Sequence, residues 1–235
     1  MVCGCFEKRF SRSQWPSMTM KRKNTNKAEL LLPLTALSKI KNESLVKQRQ
    51  SMIAKKAASV FIKKGYENTT IRDIAKATGL AMGNLYDYIQ KKEDILCLVF
   101  DLYHQVVEDS LMRPEITSIG DPIEQMQAII KMGQSNVRKY RDEIMLMYRL
   151  SHLLPPAYLK RVLVRERGHI RQMETYIKNG IKKGAFKVKD PYFTASMLFT
   201  LQASLATRGW TFERKHSKKK VDNLMSDVIM KSLLG

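Results

Sequence analysis

The stretch TTIRDIAKATGLAMGNLYDYI, residues 69–89, carries two short helical patterns separated by a single glycine. Thr70 and Asp73 stand three residues apart, which is the spacing of a capping box that opens a helix. Gly79 is typical of a residue that ends a helix, and it follows after about two turns. The stretch therefore predicts one short helix, a tight turn and the start of another helix.

The second of these helices is predicted to start near Ala81. Leu85 and Ile89 repeat at i and i+4, so they lie on one face and can pack against Ile74 of the preceding helix. Two short helices joined by a tight glycine turn form a helix-turn-helix. This motif is the first indication of what the chain does.

Helical periodicity continues on both sides of the motif. Apolar residues recur at helical spacing from Val46 until Gly65, and another long pattern begins around Lys92. Only 11 Gly and 7 Pro interrupt 235 residues, so the sequence predicts an all-α fold. Further helices are predicted at 122–141, 143–154, 156–178, 191–210 and 221–234, with a turn at NGIKKGAF.

The chain is strongly basic, with 42 Lys and Arg against 22 Asp and Glu and a formal net charge of +20. Such an excess attracts polyanions such as nucleic acid or anionic lipid. Residues 1–45 carry the steepest share and show no sustained period, so we predict a basic, mostly disordered N-terminal extension. Met18 and Met20 leave open a later true start of the chain.

Several classes of function have little support in the residues. Cys3, Cys5 and Cys97 form no disulfide framework, and no His or Cys cluster has metal-ligand spacing, so we expect a reducing cytoplasm, no metal and no cofactor. The four histidines are scattered, and neither a nucleophile elbow nor a phosphate loop occurs, so no catalytic residue is predicted and the protein is not expected to be an enzyme. No apolar run matches a membrane span or a secretory signal.

The third helix has the residues that base recognition requires. Gly83 lowers helix stability by about 1 kcal/mol relative to Ala but allows close approach to DNA. Asn84 offers a carboxamide that can pair with adenine, and Met82 can contact a thymine methyl. Taken singly, Gly83 could equally be a packing glycine and Tyr86 a core aromatic.

Groups that can bind phosphate surround this helix. Tyr86 and Tyr88 carry hydroxyls that can bond phosphate oxygens, and Thr70 stands at the start of the second helix. The Lys92 ammonium and the first backbone N–H groups of the fourth helix can attract another phosphate. Arg72 can reach either a phosphate or a guanine edge.

Residues 61–96, FIKKGYENTTIRDIAKATGLAMGNLYDYIQKKEDIL, resemble the DNA-binding domain of the TetR family of bacterial transcriptional regulators. The resemblance is strongest over residues 46–100, although Ala81 stands where the family often has a capping Ser. The shared elements are Gly65-Tyr66, Thr69-Thr70, Ile74-Ala75, Gly79, Gly83, Leu85-Tyr86 and Lys92-Glu93.

The resemblance implies a two-domain, all-helical homodimer. Residues 46–92 would form a three-helix DNA-binding domain, and residues 93–235 a helical ligand-binding and dimerisation domain. A double-stranded operator and a small-molecule inducer are the implied partners, with no membrane. The implied phosphate contacts are Thr70, Tyr86, Tyr88 and Lys92, and the implied base-reading residues are Arg72, Met82, Gly83 and Asn84.

The dimer interface and the ligand are predicted from residues beyond position 100. Residues 191–210 are apolar almost all round, so a second copy, helped by 221–234, is expected to cover them. Methionines suit an adaptable apolar cavity, although core filling explains them equally well. Candidate ligand-binding residues are Tyr103, Met147, Arg149, Met173 and Trp210.

The segment from Met147 to Ile170 loosely resembles family members that control lipid or acyl-CoA catabolism. An acyl-CoA or fatty acid is therefore the expected inducer, with Arg149, Arg161, Arg165 and Arg171 as candidates for coenzyme A phosphates. A solvated basic face would explain these arginines as well. The expected function is a repressor that a ligand releases from a palindromic operator; the alternative is a helical protein that binds DNA or membranes nonspecifically through its charge.

Overall fold

The computed structural model describes residues 40–235, and every regular element in this range is helical. A short 3₁₀ turn at Ser151–Leu153 separates α7 from α8. The helices are α1 Glu43–Lys64, α2 Ile71–Thr78, α3 Met82–Tyr86, α4 Lys92–Leu111, α5 Pro114–Thr117, α6 Pro122–Lys139, α7 Arg141–Leu150, α8 Pro156–Lys182, α9 Pro191–Thr207, α10 Gly209–Glu213 and α11 Lys218–Leu234. The all-α prediction is confirmed for the described residues.

Local sequence signals set the limits of α2. The Thr70 hydroxyl accepts a hydrogen bond from the Asp73 N–H (3.1 Å), and the Asp73 carboxylate accepts one from the Thr70 N–H (2.9 Å). This reciprocal pair is the predicted capping box. Gly79 then takes φ = 73°, a left-handed conformation that glycine adopts at little cost.

The helix α3 is shorter than predicted. It ends at Tyr86, whereas the apolar repeat of Leu85 and Ile89 indicated a longer helix. Both side chains are fully buried, but Ile89 reaches the core from the turn that follows α3. The i and i+4 spacing therefore identified the buried residues correctly and the helix end incorrectly.

Helices α1 to α4 enclose the first hydrophobic core, and we call residues 43–92 the head. Phe61 from α1, Ile74 from α2, Leu85 from α3 and Ile95 from α4 are each buried to 2% exposure or less. Residues of α7 and α8 close the same cluster from the other side. The head therefore packs directly on the helices that follow it.

The helices after the head form a second unit, which we call the body, around α6, α8, α9 and α11. Its core contains Ile129 from α6, Ile177 from α8, Leu198 from α9 and Ile229 from α11. The helix α8 runs to Lys182, through part of the segment that was predicted as a turn. The predicted helix 191–210 ends at Thr207 and is followed by the separate helix α10.

Residues 1–39 lie outside the described range, and with them Cys3, Cys5 and most of the predicted N-terminal extension. Among residues 40–235, no helix is both long and apolar enough to span a membrane. The same range contains no group of three His, Cys, Asp or Glu side chains arranged to hold a metal ion.

Candidate nucleic-acid interface and ligand cavity

The outer edge of α3 is formed by the residues that were expected to read bases. Leu85 is fully buried and fixes α3 against the head, while Met82 and Tyr86 are 36% and 41% exposed. Gly83 and Asn84 are exposed between them. A Cβ added at Gly83 would meet no atom within 4 Å, so packing inside the chain does not require glycine there.

The start of α2 adds polar groups beside this edge. Thr70 and Arg72 are exposed, as expected for residues that contact a phosphate or a base. The Lys64 ammonium donates a hydrogen bond to Asp73 (2.7 Å), and together with Thr70 it holds the pKa of the Asp73 carboxyl below its usual range. The capping box is thus attached to the end of α1.

The Lys92 ammonium does not point to a free phosphate position. It donates hydrogen bonds to the carbonyl oxygens of Tyr66 (3.0 Å), Glu67 (3.3 Å) and Thr69 (3.3 Å). It also lies 4.4 Å from the centre of the Tyr66 ring, a cation–π contact. In this structure the ammonium connects α4 to the loop between α1 and α2, and a phosphate contact from it stays a prediction.

Tyr88 also differs from the expectation of an outward-facing residue. Its side chain is 7% exposed and belongs to the core of the head. Its carbonyl oxygen accepts a hydrogen bond from the buried Gln50 amide of α1 (3.2 Å). Sequence reasoning missed Gln50, for which the only signal was a polar residue among the apolar positions of α1.

Asp94 organises the first turn of α4. Its carboxylate accepts hydrogen bonds from the backbone N–H groups of Gln90 (2.9 Å) and Lys91 (3.0 Å). Both N–H groups are therefore used within the protein. A phosphate at this helix start would be bound by the N–H groups of Lys92 and Glu93, the first two residues of the helix.

The head matches a known group of DNA-binding proteins. Residues 53–97 match the family described as "Bacterial regulatory proteins, tetR family", and residues 120–208 match the "Tetracyclin repressor-like, C-terminal domain". The two ranges together cover more than half of the chain. The chain belongs to the TetR family. It is therefore a helix-turn-helix transcriptional regulator, and neither match is to an enzyme family.

Individual TetR-family proteins are similar over most of the chain. The HTH-type transcriptional regulator HbdR of Aromatoleum sp. (strain CIB) is 26% identical over 182 residues, which cover 77% of this chain and 78% of that protein. The structure of PfmR from Thermus thermophilus has a TM-score of 0.65 at 21% identity and covers 77% of this chain and 98% of its own. FadR from Bacillus subtilis in complex with stearoyl-CoA has a TM-score of 0.63 at 20% identity, covering 77% and 98%.

A small apolar cavity lies within the helical body of this TetR-family chain. Its volume is about 40 Å³, enough for one or two water molecules but far below the several hundred Å³ of a pocket that holds a ligand. This cavity is therefore too small for a ligand in this conformation. The cavity is lined by Tyr103, Val107, Ser110, Leu111, Ile129, Met132, Gly133, Asn136, Val137, Met173, Phe199 and Gln202.

The structure brings together two of the five expected ligand-binding residues. Tyr103 and Met173 line the cavity, from α4 and α8 respectively. Met147 instead packs against the core of the head, and Arg149 and Trp210 are exposed, the latter to 67%. Residue type could not separate these cases, because Met147 and Met173 have the same chemistry and differ in the core that they join.

The four candidate arginines have different surroundings. Arg165 donates to Glu108 (2.9 Å) and to Asp101 (2.9 Å), so its guanidinium is already paired within the protein. Arg161 lies 5.0 Å from the centre of the Tyr158 ring. Arg149 and Arg171 are exposed. This agrees with the alternative that the arginines form a solvated basic face and do not bind coenzyme A.

A buried pair of histidines lies between α4 and α8. The rings of His104 and His169 are 5.2 Å apart, and both His104 ring nitrogens are buried without a hydrogen-bond partner. Burial, together with His169 and Arg165, lowers the pKa of His104 to about 3. The His104 ring is therefore neutral near pH 7.

Proposed function

We propose that the chain is a ligand-responsive repressor that binds a palindromic operator as a homodimer. The DNA-binding unit is residues 46–92, and the ligand-binding and dimerisation unit is residues 93–235. The single observation that carries the proposal is the exposed edge of α3, which is held on a buried anchor, Leu85. A short helix presented in this way fits the major groove with its N-terminal residues toward base edges.

Each residue of this edge has a distinct part in the proposed contact. Asn84 pairs with an adenine, Met82 contacts a thymine methyl, and Gly83 allows the backbone to approach the groove. Arg72 reaches a guanine or a phosphate from α2. These contacts give base preference, which phosphate contacts alone do not supply.

Phosphate contacts would hold the head in position. Thr70 at the start of α2 and Tyr86 at the end of α3 are both exposed. The Thr70 hydroxyl donates to the Asp73 carboxylate (2.8 Å), so it would contact a phosphate by exchanging that partner. At the start of α4 we assign the contact to the backbone N–H groups of Lys92 and Glu93, because the Lys92 ammonium is bound to carbonyl oxygens. Tyr88 contributes mainly by packing, since its ring is buried.

A second copy of the chain is proposed to cover the apolar surface of α9 and α11. Phe193 on α9 and Val228 on α11 are 62% and 55% exposed, and Tyr192, Met197 and Leu224 extend the same kind of surface. Pairing these helices through a two-fold axis would place two heads on one face of DNA. Successive major grooves require a separation of about 34–36 Å or a compatible multiple.

We propose an acyl-CoA or fatty acid as the inducer class, with Tyr103 and Met173 in the binding site. Two facts support this class: the lining is largely apolar and includes Met132 and Met173, and FadR from Bacillus subtilis is a fold neighbour with stearoyl-CoA bound. A cavity of about 40 Å³ cannot hold an acyl chain. Such a ligand would therefore bind better to an expanded body, and this differential affinity would shift the heads away from the spacing that binds DNA.

Selection of genomic DNA fragments by the purified protein tests the repressor proposal. We expect enrichment of a short palindrome whose half-sites are about one helical turn apart. Stearoyl-CoA and stearate would then be titrated into the complex with that fragment, with release as the expected result. Equal affinity for all sequences at fixed salt would contradict the proposal and favour a nonspecific basic protein.

Asn84→Ala tests the assignment of base readout on the selected operator. The variant is expected to lose about 1–3 kcal/mol of discrimination at one position of each half-site, because the carboxamide no longer pairs with its base. Binding competition against operators substituted position by position measures this. Asn179→Ala, at an exposed position of α8, is the matched control. A loss of affinity that is uniform across all substituted operators would show that Asn84 reads no base.

A further inference from the structure

The connection between α10 and α11, together with the first turn of α11, concentrates positive charge. We call residues 214–220, with the sequence RKHSKKK, the basic turn. Arg214, Lys215, Lys218, Lys219 and Lys220 are all exposed. Trp210 lies just before the turn and is 67% exposed.

The carboxylates nearest to the basic turn are already paired with another cation. Arg138 at the end of α6 forms ion pairs with Glu213 (2.6 Å) and with Asp222 (2.7 Å). Within residues 40–235, no salt bridge joins any cation of the basic turn to an acid. The like charges therefore repel one another without internal compensation, which is unfavourable for a turn that has only a structural role.

Two contacts show at which end of the body the basic turn lies. The Arg138 guanidinium donates to the Lys218 carbonyl oxygen (3.3 Å), so the turn adjoins the end of α6. Two residues further on, the centre of the Tyr140 ring lies 5.4 Å from the Lys55 ammonium of α1. The basic turn is thus on the end of the body that contacts the head.

The opposite end of the body is equally well defined. The helix α11 runs away from the basic turn and ends where the Lys187 N–H donates to the Leu233 carbonyl (2.8 Å). Nearby, the Lys183 ammonium donates to the Gly120 carbonyl (2.6 Å) in the connection after α5. Lys182, Lys187 and Lys189 lie at this far end. They carry the same total charge as Lys218, Lys219 and Lys220 of the basic turn.

We propose that the basic turn is a second DNA-binding surface, which contacts backbone phosphates of the duplex on which the heads sit. The inference rests on the proposed function, since it requires the head end of the body to face DNA. The cations Lys55, Lys139 and Arg141 continue the positive surface from the basic turn toward the head. In a dimer, each subunit would present its own basic turn at the end of the body next to its head.

Charge complementarity favours a duplex over a lipid surface. An anionic lipid surface also attracts clustered lysines, but firm membrane binding adds a helix that inserts its apolar face, and α10, the helix that carries Trp210, has only five residues. Phosphates require only exposed cations, and each phosphate that is neutralised releases bound counterions. One phosphate for each basic turn would add about 1.8 to the slope of log affinity against log salt for a dimer.

Two triple variants with the same change of charge test the proposal. The first is Lys218→Gln, Lys219→Gln and Lys220→Gln in the basic turn, and the control is Lys182→Gln, Lys187→Gln and Lys189→Gln at the far end. Affinity for a random-sequence duplex of about 30 bp is measured at about 50 and 200 mM salt, the range over which phosphate contacts change affinity strongly. At each salt concentration the loss is the affinity of the wild type divided by that of the variant. For the basic-turn triple, this loss is expected to be about ten times larger at the lower salt concentration than at the higher one. The control triple is expected to lose much less affinity.

Each outcome distinguishes this inference from the proposed function. Equal losses in the two triples would overturn it, because net charge alone would then explain the effect. Unchanged affinity in the basic-turn triple would overturn it too. If the wild type selects no palindrome, the proposed function fails, but a loss confined to the basic-turn triple on random duplex would still support DNA binding by the turn.

A lipid surface is the competing partner, and Trp210 reports on it. The chain has two tryptophans, so Trp15→Phe leaves Trp210 as the single fluorescent indole. Phosphatidylglycerol vesicles are expected to leave its emission maximum unchanged. A blue shift with vesicles that the basic-turn triple abolishes, together with unaltered binding to duplex, would assign the turn to membranes and overturn the proposal.

Discussion

At the scale of single residues, Lys92 has a different partner from the one its position suggested. Its place at the start of α4 was read correctly from the sequence, but the carbonyl oxygens that bind it come from residues more than 20 positions earlier. Such a contact depends on how α4 crosses the loop between α1 and α2. No local spacing encodes it, so the residue was predicted and its partner was not.

Lys92→Met is expected to lower the free energy of unfolding by about 1–2 kcal/mol, since the carbonyl groups of Tyr66 and Thr69, which are partly buried, lose a charged donor. Operator affinity should fall at every salt concentration while the salt slope stays the same. Denaturant unfolding and binding at several salt concentrations measure the two effects. Lys91→Met, which changes an exposed neighbour, is the control. A slope reduced by about 0.9 for each subunit would instead make the Lys92 ammonium a phosphate ligand.

Gly83→Ala is expected to stabilise the protein and weaken its binding to DNA. The added methyl group meets open space within the chain and raises helix propensity by up to about 1 kcal/mol. The same methyl group would collide with the groove, so operator affinity should fall on the order of tenfold, or about 1.4 kcal/mol. Thermal unfolding and operator titration are the measurements.

Gly168→Ala in α8 is the matched control, because this helical glycine is also exposed and its Cβ position is also open. It should gain a similar stability and keep full operator affinity. If Gly83→Ala bound the operator as tightly as Gly168→Ala does, close approach of the backbone would not explain the glycine.

At the scale of elements, predictions were most accurate where a helix end depends on neighbouring residues. Thr70, Asp73 and Gly79 fix both ends of α2 through contacts within a few positions. The end of α3 was wrong because Tyr88 and Ile89 are buried by tertiary packing after the helix has ended. Periodicity reports burial, and a buried residue in a turn can continue a helical pattern.

The contact between α4 and α8 predicts a loss of stability in acid. Neutral His104 faces His169 and Arg165 on α8 and Glu108 on α4, and its pKa in the folded state, about 3, lies below the unfolded value of about 6.5. Its stabilising contribution is therefore complete above about pH 6.5 and is lost as the pH falls. Between about pH 7.5 and 5.5, His104 should therefore lower the free energy of unfolding by about 1.4 kcal/mol.

Glu108 changes stability in the same direction at lower pH. Burial alone would raise the pKa of Glu108, but hydrogen bonds from His169 and Arg165 lower it to about 2.

His104→Phe tests the pH dependence assigned to His104. Between about pH 7.5 and 5.5, its free energy of unfolding, measured with urea, should fall by about 1.4 kcal/mol less than that of the wild type. The exposed His152→Gln is the control and should behave as the wild type does. Identical pH dependence in His104→Phe would contradict the assignment.

At the scale of the whole molecule, the sequence predicted two helical units and an apolar surface for a partner. It could not locate the ligand-binding residues, because Met147 and Met173 have the same chemistry and differ only in which core they join. Arg149 and Trp210 were candidates through the loose resemblance to regulators of acyl-CoA catabolism, and both are exposed. Which side chains share a cavity depends on how α4, α6, α8 and α9 cross.

Phe193→Asp combined with Val228→Asp is expected to convert the proposed dimer to a monomer, because two exposed apolar positions on α9 and α11 become charged. Sedimentation velocity should show a single species of monomer mass, and operator affinity should fall strongly. Met112→Asp places a charge on another apolar side chain, 60% exposed at the end of α4, and should leave the dimer intact. A wild-type protein that sediments as a monomer would refute the predicted interface.

Two tyrosine hydroxyls attach α8 to the backbone of α4 near its two ends. Tyr158 donates to the Cys97 carbonyl oxygen near the start of α4, and Tyr176 donates to the Leu111 carbonyl oxygen at its end. With both hydrogen bonds in place, the two helices move as one rigid unit, so α4 cannot tilt without moving α8. Because α8 packs along α9, a ligand that moves α4 and α8 in one subunit would also move α9 at the proposed dimer interface. The two subunits of a dimer would then bind ligand cooperatively.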